Sequence, residues 1–175
     1  MQELNQQTGM RRSSRRRLRV PPMLPALVQT GFLSVEGRTF AECAVCPVCG
    51  GPVSGYDSKE RKFATIREGD AAHEVMVTVR RFRCRLCGRV SPARAPFYPD
   101  TRLGSPVVDL CVVLSQTMTP GKAATFMESL GIVVDRGTVR NLSSRDIGMI
   151  PTTELFGFEL PRSVLSLSMV AFRDL

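Results

Sequence analysis

Apolar and polar positions alternate from His73 to Cys84, HEVMVTVRRFRC, placing Val75, Val77 and Val79 on one face and Met76, Thr78 and Phe82 on the other. A period of two belongs to a half-buried strand. Lys62 to Glu68 is a natural partner strand. The run Glu68-Gly69-Asp70-Ala71-Ala72 would close the hairpin, with Gly69 supplying its unusual backbone angles.

After Pro96 and Pro99 the pattern turns helical. Ser105 reads as a cap and Pro106 as the first helical residue, and Val107, Cys111, Leu114 and Met118 then form a stripe. Val108, Leu110, Val112 and Val113 make this helix apolar nearly all round, so it should be central or contact another chain, as in a homodimer. Thr119-Pro120 opens a second helix to Leu130, with Ala123, Met127 and Leu130 on one face and Gly131 as its stop. Asp135 can cap a third helix running to about Ile147, with Val139, Leu142 and Asp146 turned inward.

The start of the chain is different. Residues 1–20 are polar and basic, with Arg11, Arg12, Arg15, Arg16, Arg17 and Arg19 clustered and nothing apolar to fold around, so they should be disordered when free. Such a run is either a phosphate-gripping arm or a solvated tail, and Met10 or Met23 is an alternative start. Pro21 to Phe40 reads as a linker with at most a short helix. The expected division is therefore a basic arm and linker over 1–40, a small β unit over 41–97, a helical unit over 98–150 and a remnant or tail over 151–175. The fold class is α+β.

The composition is that of a globular protein, with 43% hydrophobic and 23% charged residues, but there is no Trp and there are only two Tyr among the 175 residues. Cores this poor in large aromatics need staples. Lys and Arg total 24 against 16 Asp and Glu, a net charge of +8, which points to a polyanionic partner such as nucleic acid. Only Lys59, Lys62 and Lys122 are lysines. The guanidinium that dominates is the better group for forked contacts to phosphates and guanine edges, although GC-rich coding also favours Arg. Pro21, Pro22 and Pro25 break any apolar signal segment, and Val164 to Phe172 is far short of the roughly 20 residues that span a bilayer. A reduced, cytoplasmic setting without membrane contact is expected.

Staples are present. Cys46-Pro47-Val48-Cys49-Gly50 and Cys84-Arg85-Leu86-Cys87-Gly88 are two C-x-x-C-G knuckles on either side of the predicted hairpin. Two residues between thiolates let a tight turn aim both sulfurs at one tetrahedral ion about 2.3 Å away, and the glycine relieves the crowded backbone. Cys46, Cys49, Cys84 and Cys87 would complete one structural zinc site with no open coordination position, hence no catalysis. Cys43 also stands in C-x-x-C spacing with Cys46, but the second turn is the better knuckle and Cys43 reads as a spare. Cys111 belongs to a helical core stripe, and His73 lacks a ligand partner at a useful spacing.

Arg80, Arg81, Arg83, Arg85 and Arg89 crowd the second knuckle, a concentration of donors that self-repels unless an anion neutralises it. On the third helix, Gly137, Arg140, Asn141, Ser144 and Arg145 would face outward, and Arg136 at its start is a further candidate DNA contact. Arg can fork onto guanine and Asn onto adenine, each such pair giving about 1–3 kcal/mol of discrimination in double-stranded DNA.

The order of parts, CPVCGG, a hairpin, VRRFRCRLCGR and then PGKAATFMESLGIVVDRGTVRNL, resembles the zinc ribbon and helix-turn-helix that begin many prokaryotic insertion-sequence transposases. The likeness spans about Cys46 to Arg145, and RRFRC-x-x-CGR followed by G-x-x-V-x-x-x-T-V is its most telling part. It implies a small β zinc ribbon followed by a three-helix helix-turn-helix domain, binding of an element's terminal repeats, one structural zinc ion and a place at the prokaryotic nucleoid. The family continues into a ribonuclease-H-like domain with three acidic residues and two metal ions. Here Leu160 to Phe172 reads like the first strand of such a domain, yet it offers only Ser166 or Ser168 where the first Asp would stand, and its last residues should be partly unsupported. Asp146, Glu154, Glu159 and Asp174 do not replace that scaffold, so the expectation is a DNA-binding chain and not an enzyme. A host transcription regulator or a zinc-ribbon adaptor for another protein are the competing readings.

Overall fold

The computed structural model describes residues 20–94 and 96–171. The basic arm expected over residues 1–20 lies, but for Val20, outside them. Among the described residues the protein is α+β, with five helices and two sheets. Its framework is a long antiparallel hairpin, β2 (Val53–Glu68) and β3 (Ala71–Cys84), joined at Gly69-Asp70, where Gly69 takes φ 60°. β1 (Thr39–Phe40) runs parallel to β3, and β4 (Val90–Pro92) antiparallel to it, so β3 is the centre of this sheet.

Val75, Val77 and Val79 are buried, as their period requires. The partner strand is far longer than the expected Lys62 to Glu68. It reaches back to Val53, carrying irregularities between Gly55 and Asp57 and between Lys62 and Ala64. Bulges of this kind let one strand bend while its ladder continues. The second inserts Phe63, which is fully buried between Phe32 and Phe97 at ring-centroid distances of 5.8 and 6.0 Å. The hairpin thus divides into a half near Gly69 that packs on helices and a half near Val53 and Cys84 that projects into solvent.

The helices follow. α2 (Ser105–Thr117) is central, with Val107, Val108, Leu110, Cys111, Val113 and Leu114 all buried inside the chain. Its N-cap is Gly104, not Ser105; the Ser105 hydroxyl instead donates to the Pro96 carbonyl at 2.9 Å. α3 (Pro120–Ser129) buries Ala123, Phe126 and Met127. α4 (Arg136–Ser143) is capped by Asp135, whose carboxylate accepts the Thr138 amide at 2.9 Å, and buries Val139 and Leu142. It stops four residues before Ile147, so Asp146 is exposed and not turned inward. The α3–α4 connection is fastened to the edge of β2: Arg67 donates its amide to Gly131, Val133 donates to Thr65, both at 2.8 Å, and Ile66 bridges Ile132.

Two segments depart from expectation. The linker over 21–40 contains α1 (Met23–Leu33), an integral part of the core through Leu24, Val28 and Phe32. Past α4 the chain forms a hairpin, β5 (Thr152–Leu155) with β6 (Phe158–Pro161), and then α5 (Arg162–Ala171) where a strand was expected. α5 packs against α1, so this end is supported. A Cβ on Gly31 would stand 2.7 Å from the Ser168 backbone nitrogen, and the Ser168 hydroxyl donates to the Leu27 carbonyl at 2.9 Å. Asp109 of α2, 4% exposed, accepts hydroxyl bonds from Tyr98 at 2.7 Å and Ser163 at 2.5 Å. Those donors satisfy a buried carboxylate and tie α2 to α5. Burial and the neighbouring Asp109 push the Tyr98 phenol well above its usual range, which keeps it a donor. Buried residues from all five helices, β2, β3 and β6 join in one apolar cluster. No helix among the described residues is long and apolar enough to cross a membrane.

Candidate metal centre and basic surface

At the projecting end of the hairpin, the sulfurs of Cys46, Cys49, Cys84 and Cys87 all lie within 4.8 Å of one another. Each knuckle is built the same way. Gly50 donates its amide to the Cys46 carbonyl at 2.9 Å and Gly88 to Cys84 at 3.1 Å, closing the two turns. Cys46 then donates to Gly51 at 2.9 Å and Cys84 to Arg89 at 2.8 Å. Gly50 and Gly88 sit at φ 70° and 72°, a conformation that side-chain-bearing residues rarely adopt. The knuckles are therefore local two-fold images, and the β2–β3 ladder, with Val53 opposite Cys84, brings them together.

The four sulfurs fit a tetrahedral ion. Metal–sulfur bonds of about 2.3 Å put sulfurs about 3.8 Å apart at the corners of a tetrahedron; Cys46 and Cys87 are 3.8 Å apart and Cys49 and Cys84 3.4 Å. The amides of Cys87 and Leu86, at 3.5 and 3.3 Å from its sulfur, drive the Cys84 thiol down to about 6. Amides of Cys49 and Val48 likewise lower Cys46. The Gly51 amide favours a thiolate at Cys49, but the sulfurs of Cys84 and Cys87 compete for charge and push it up to about 12. Four thiolates this close would repel one another, and a cation held between them would relieve that repulsion. Cys43 stands outside the cluster with its sulfur toward the Val45 carbonyl, and Cys111 is buried beside the Met127 sulfur at 3.8 Å. His73 bonds Glu36 at 2.7 Å.

The chain matches no protein-family model, no curated protein and no solved structure.

Arginines surround this end unequally. Arg80, Arg83, Arg85, Arg89 and Arg94 are exposed, and Arg80 lies 5.8 Å from the Phe82 ring centroid. Arg81 differs, because its fork is occupied: Nε donates to Asp57 Oδ1 at 2.5 Å and Nη2 to Oδ2, holding the Asp57 carboxyl below the usual carboxylate range. Tyr56, at the first irregularity of β2, has Arg81 and Arg83 at 5.5 and 5.7 Å from its ring. Neither Tyr56 nor Asp57 stood out in the sequence, since Val53 to Glu60 lacks a strand pattern. On α4, Arg136, Arg140 and Asn141 are exposed as expected. Ser144 is its C-cap, with its hydroxyl on the Asn141 carbonyl at 3.0 Å, and exposed Arg145 follows outside the helix.

Proposed function

We propose that this is a zinc-stabilised protein that binds double-stranded DNA, built as a β zinc ribbon and a helix-turn-helix of the kind that begins insertion-sequence transposases, and that it binds without cutting. Zinc is the preferred ion because four thiolates at tetrahedral spacing suit it and leave no open position for chemistry. The observation that carries the DNA reading is the segment Val75–Pro99, which holds six arginines and no Asp or Glu. A divalent ion on four thiolates has net charge −2, Asp57 and Glu42 add −2, and Lys59 and Glu60 cancel, so these six arginines still leave the ribbon end about +2.

The helices support the same reading. α2, α3 and α4 pack on one another, and α4 turns Arg136, Arg140 and Asn141 outward on a short helix whose inner face is Val139 and Leu142. Those residue types suit base edges. Against a protein-binding adaptor stands the position of α2, whose apolar faces are covered within the chain instead of offered to a partner. Asp146 is exposed on its own loop, and Glu154 and Glu159 face each other across the β5–β6 hairpin. A host transcription regulator would share all of this, differing in where its site lies.

The test is a salt titration of binding to a duplex carrying the repeats that flank its gene, beside a scrambled duplex. The affinity should fall linearly on logarithmic axes with a slope of about −3 or steeper, from counterion release at the ribbon arginines. It should also favour the repeats, and Arg140→Ala with Asn141→Ala should remove that preference. Equal, salt-insensitive or absent binding contradicts the proposal.

A further inference from the structure

The two knuckles carry a feature that metal binding does not use. Val48 and Leu86 occupy equivalent positions, each just before the second cysteine of its turn, and are 56% and 73% exposed. Val45 and Val90, beside them in sequence, are exposed too. Single exposed apolar side chains are ordinary on a surface, but here both turns of one rigid tip present one. Leu86 is also braced: its Cδ1 lies 2.7 Å from where a Cβ on Gly51 would stand, so it rests directly on the opposite knuckle's backbone. Arg83, Arg85 and Arg89 flank it, all exposed, and neither 43–56 nor 82–92 contains an acidic residue.

We propose that this tip is a wedge, with Leu86 and Val48 entering the minor groove of bound duplex DNA, partly unstacking one base step and kinking the helix while Arg85 and Arg89 hold the adjoining phosphates. The proposal rests on the DNA-binding reading above. Aliphatic side chains beside arginines are the combination by which proteins bend DNA from the minor groove. Positive charge around the prongs favours a polyanion over a neutral protein surface, and the metal cross-link gives the tip the stiffness that prying bases apart demands. The kink falls most easily at a flexible pyrimidine–purine step.

The experiment uses the zinc-loaded full chain and the flanking-repeat duplex with a donor and an acceptor dye at its ends. Wild-type protein should shorten the end-to-end distance. A Leu86→Ala, Val48→Ala double variant should keep its zinc and its urea midpoint, bind about tenfold more weakly and leave the duplex straight, whereas Leu86→Met should restore the bend. Wild-type binding without bending, or a double variant that bends DNA normally, overturns the wedge and leaves the DNA-binding reading standing. Failure of wild-type protein to bind the duplex overturns both. Loss of self-association in the double variant with bending intact would assign the tip to contact between copies, again overturning the wedge.

Discussion

Replacing Gly104 by Ala sets two opposed effects against each other. Gly104 caps α2 with φ −58° and ψ 146°, angles open to any residue. An added methyl group would therefore by itself stabilise the fold by about 0.4–1 kcal/mol, through the lower entropy of the unfolded chain. That methyl would stand 2.4 Å from both Cδ2 and Cε2 of Phe63. The ring has no room to retreat: it is fully buried, Phe32 and Phe97 flank it, and the Gly104 amide donates to the Phe63 carbonyl at 2.8 Å. Overpacking a filled core costs about 1–3 kcal/mol, and overlap with a clamped ring belongs at the upper end, giving a net loss of about 2 kcal/mol. Urea unfolding of the protein reads this as a lower midpoint at unchanged slope. Phe63→Leu removes ring atoms that the methyl meets, so Gly104→Ala should cost less in that background. A Gly104→Ala protein as stable as the wild type would refute the packing described around Phe63.

Three further perturbations probe separate parts of the account. Asp135→Ala should cost about 1 kcal/mol at pH 7 as a lost helix cap. The Thr138 hydroxyl and amide hold the Asp135 carboxyl below its usual range, so its contribution is complete above the unfolded value of about 3.9 and is lost as pH falls through the lower folded value; a gap from wild type that does not narrow as pH falls below about 3.9 would contradict this. Phe156→Asn should raise the urea midpoint by the equivalent of about 1 kcal/mol, since Phe156 and Gly157 take φ 53° and 79° in a two-residue hairpin turn that favours Asn-Gly, and an unchanged midpoint would count against it. Cys43→Ser should leave zinc stoichiometry intact whereas Cys49→Ser should remove the ion, as elemental analysis of the two purified variants would report.

What could be read from the sequence was whatever depends on short-range spacing. The knuckles needed only C-x-x-C-G repeated on either side of a hairpin, and β3 needed only its three alternating valines. Long-range packing hid the rest. α1 follows Pro22, holds Pro25 in its first turn and has no capping side-chain bond, so little local sequence announces a helix; it packs against α5, more than a hundred residues away. In LPRSVLSLSMVAF, serines interleaved with Val and Leu suggest a strand, but the buried positions Val164, Ser168 and Ala171 fall at helical spacing once α1 is present to cover them. The pairing of Arg81 with Asp57 was likewise hidden, because it needs the register of a strand whose outer half has no apolar alternation.

The most direct test of the central claim is the zinc content of reduced, purified protein, followed on the same sample through chelation by circular dichroism and by unfolding. The account predicts one ion per chain and a ribbon end that loses its structure and its DNA affinity when the ion is removed. A chain that carries no zinc, or that keeps its full fold and DNA binding after chelation, would contradict it.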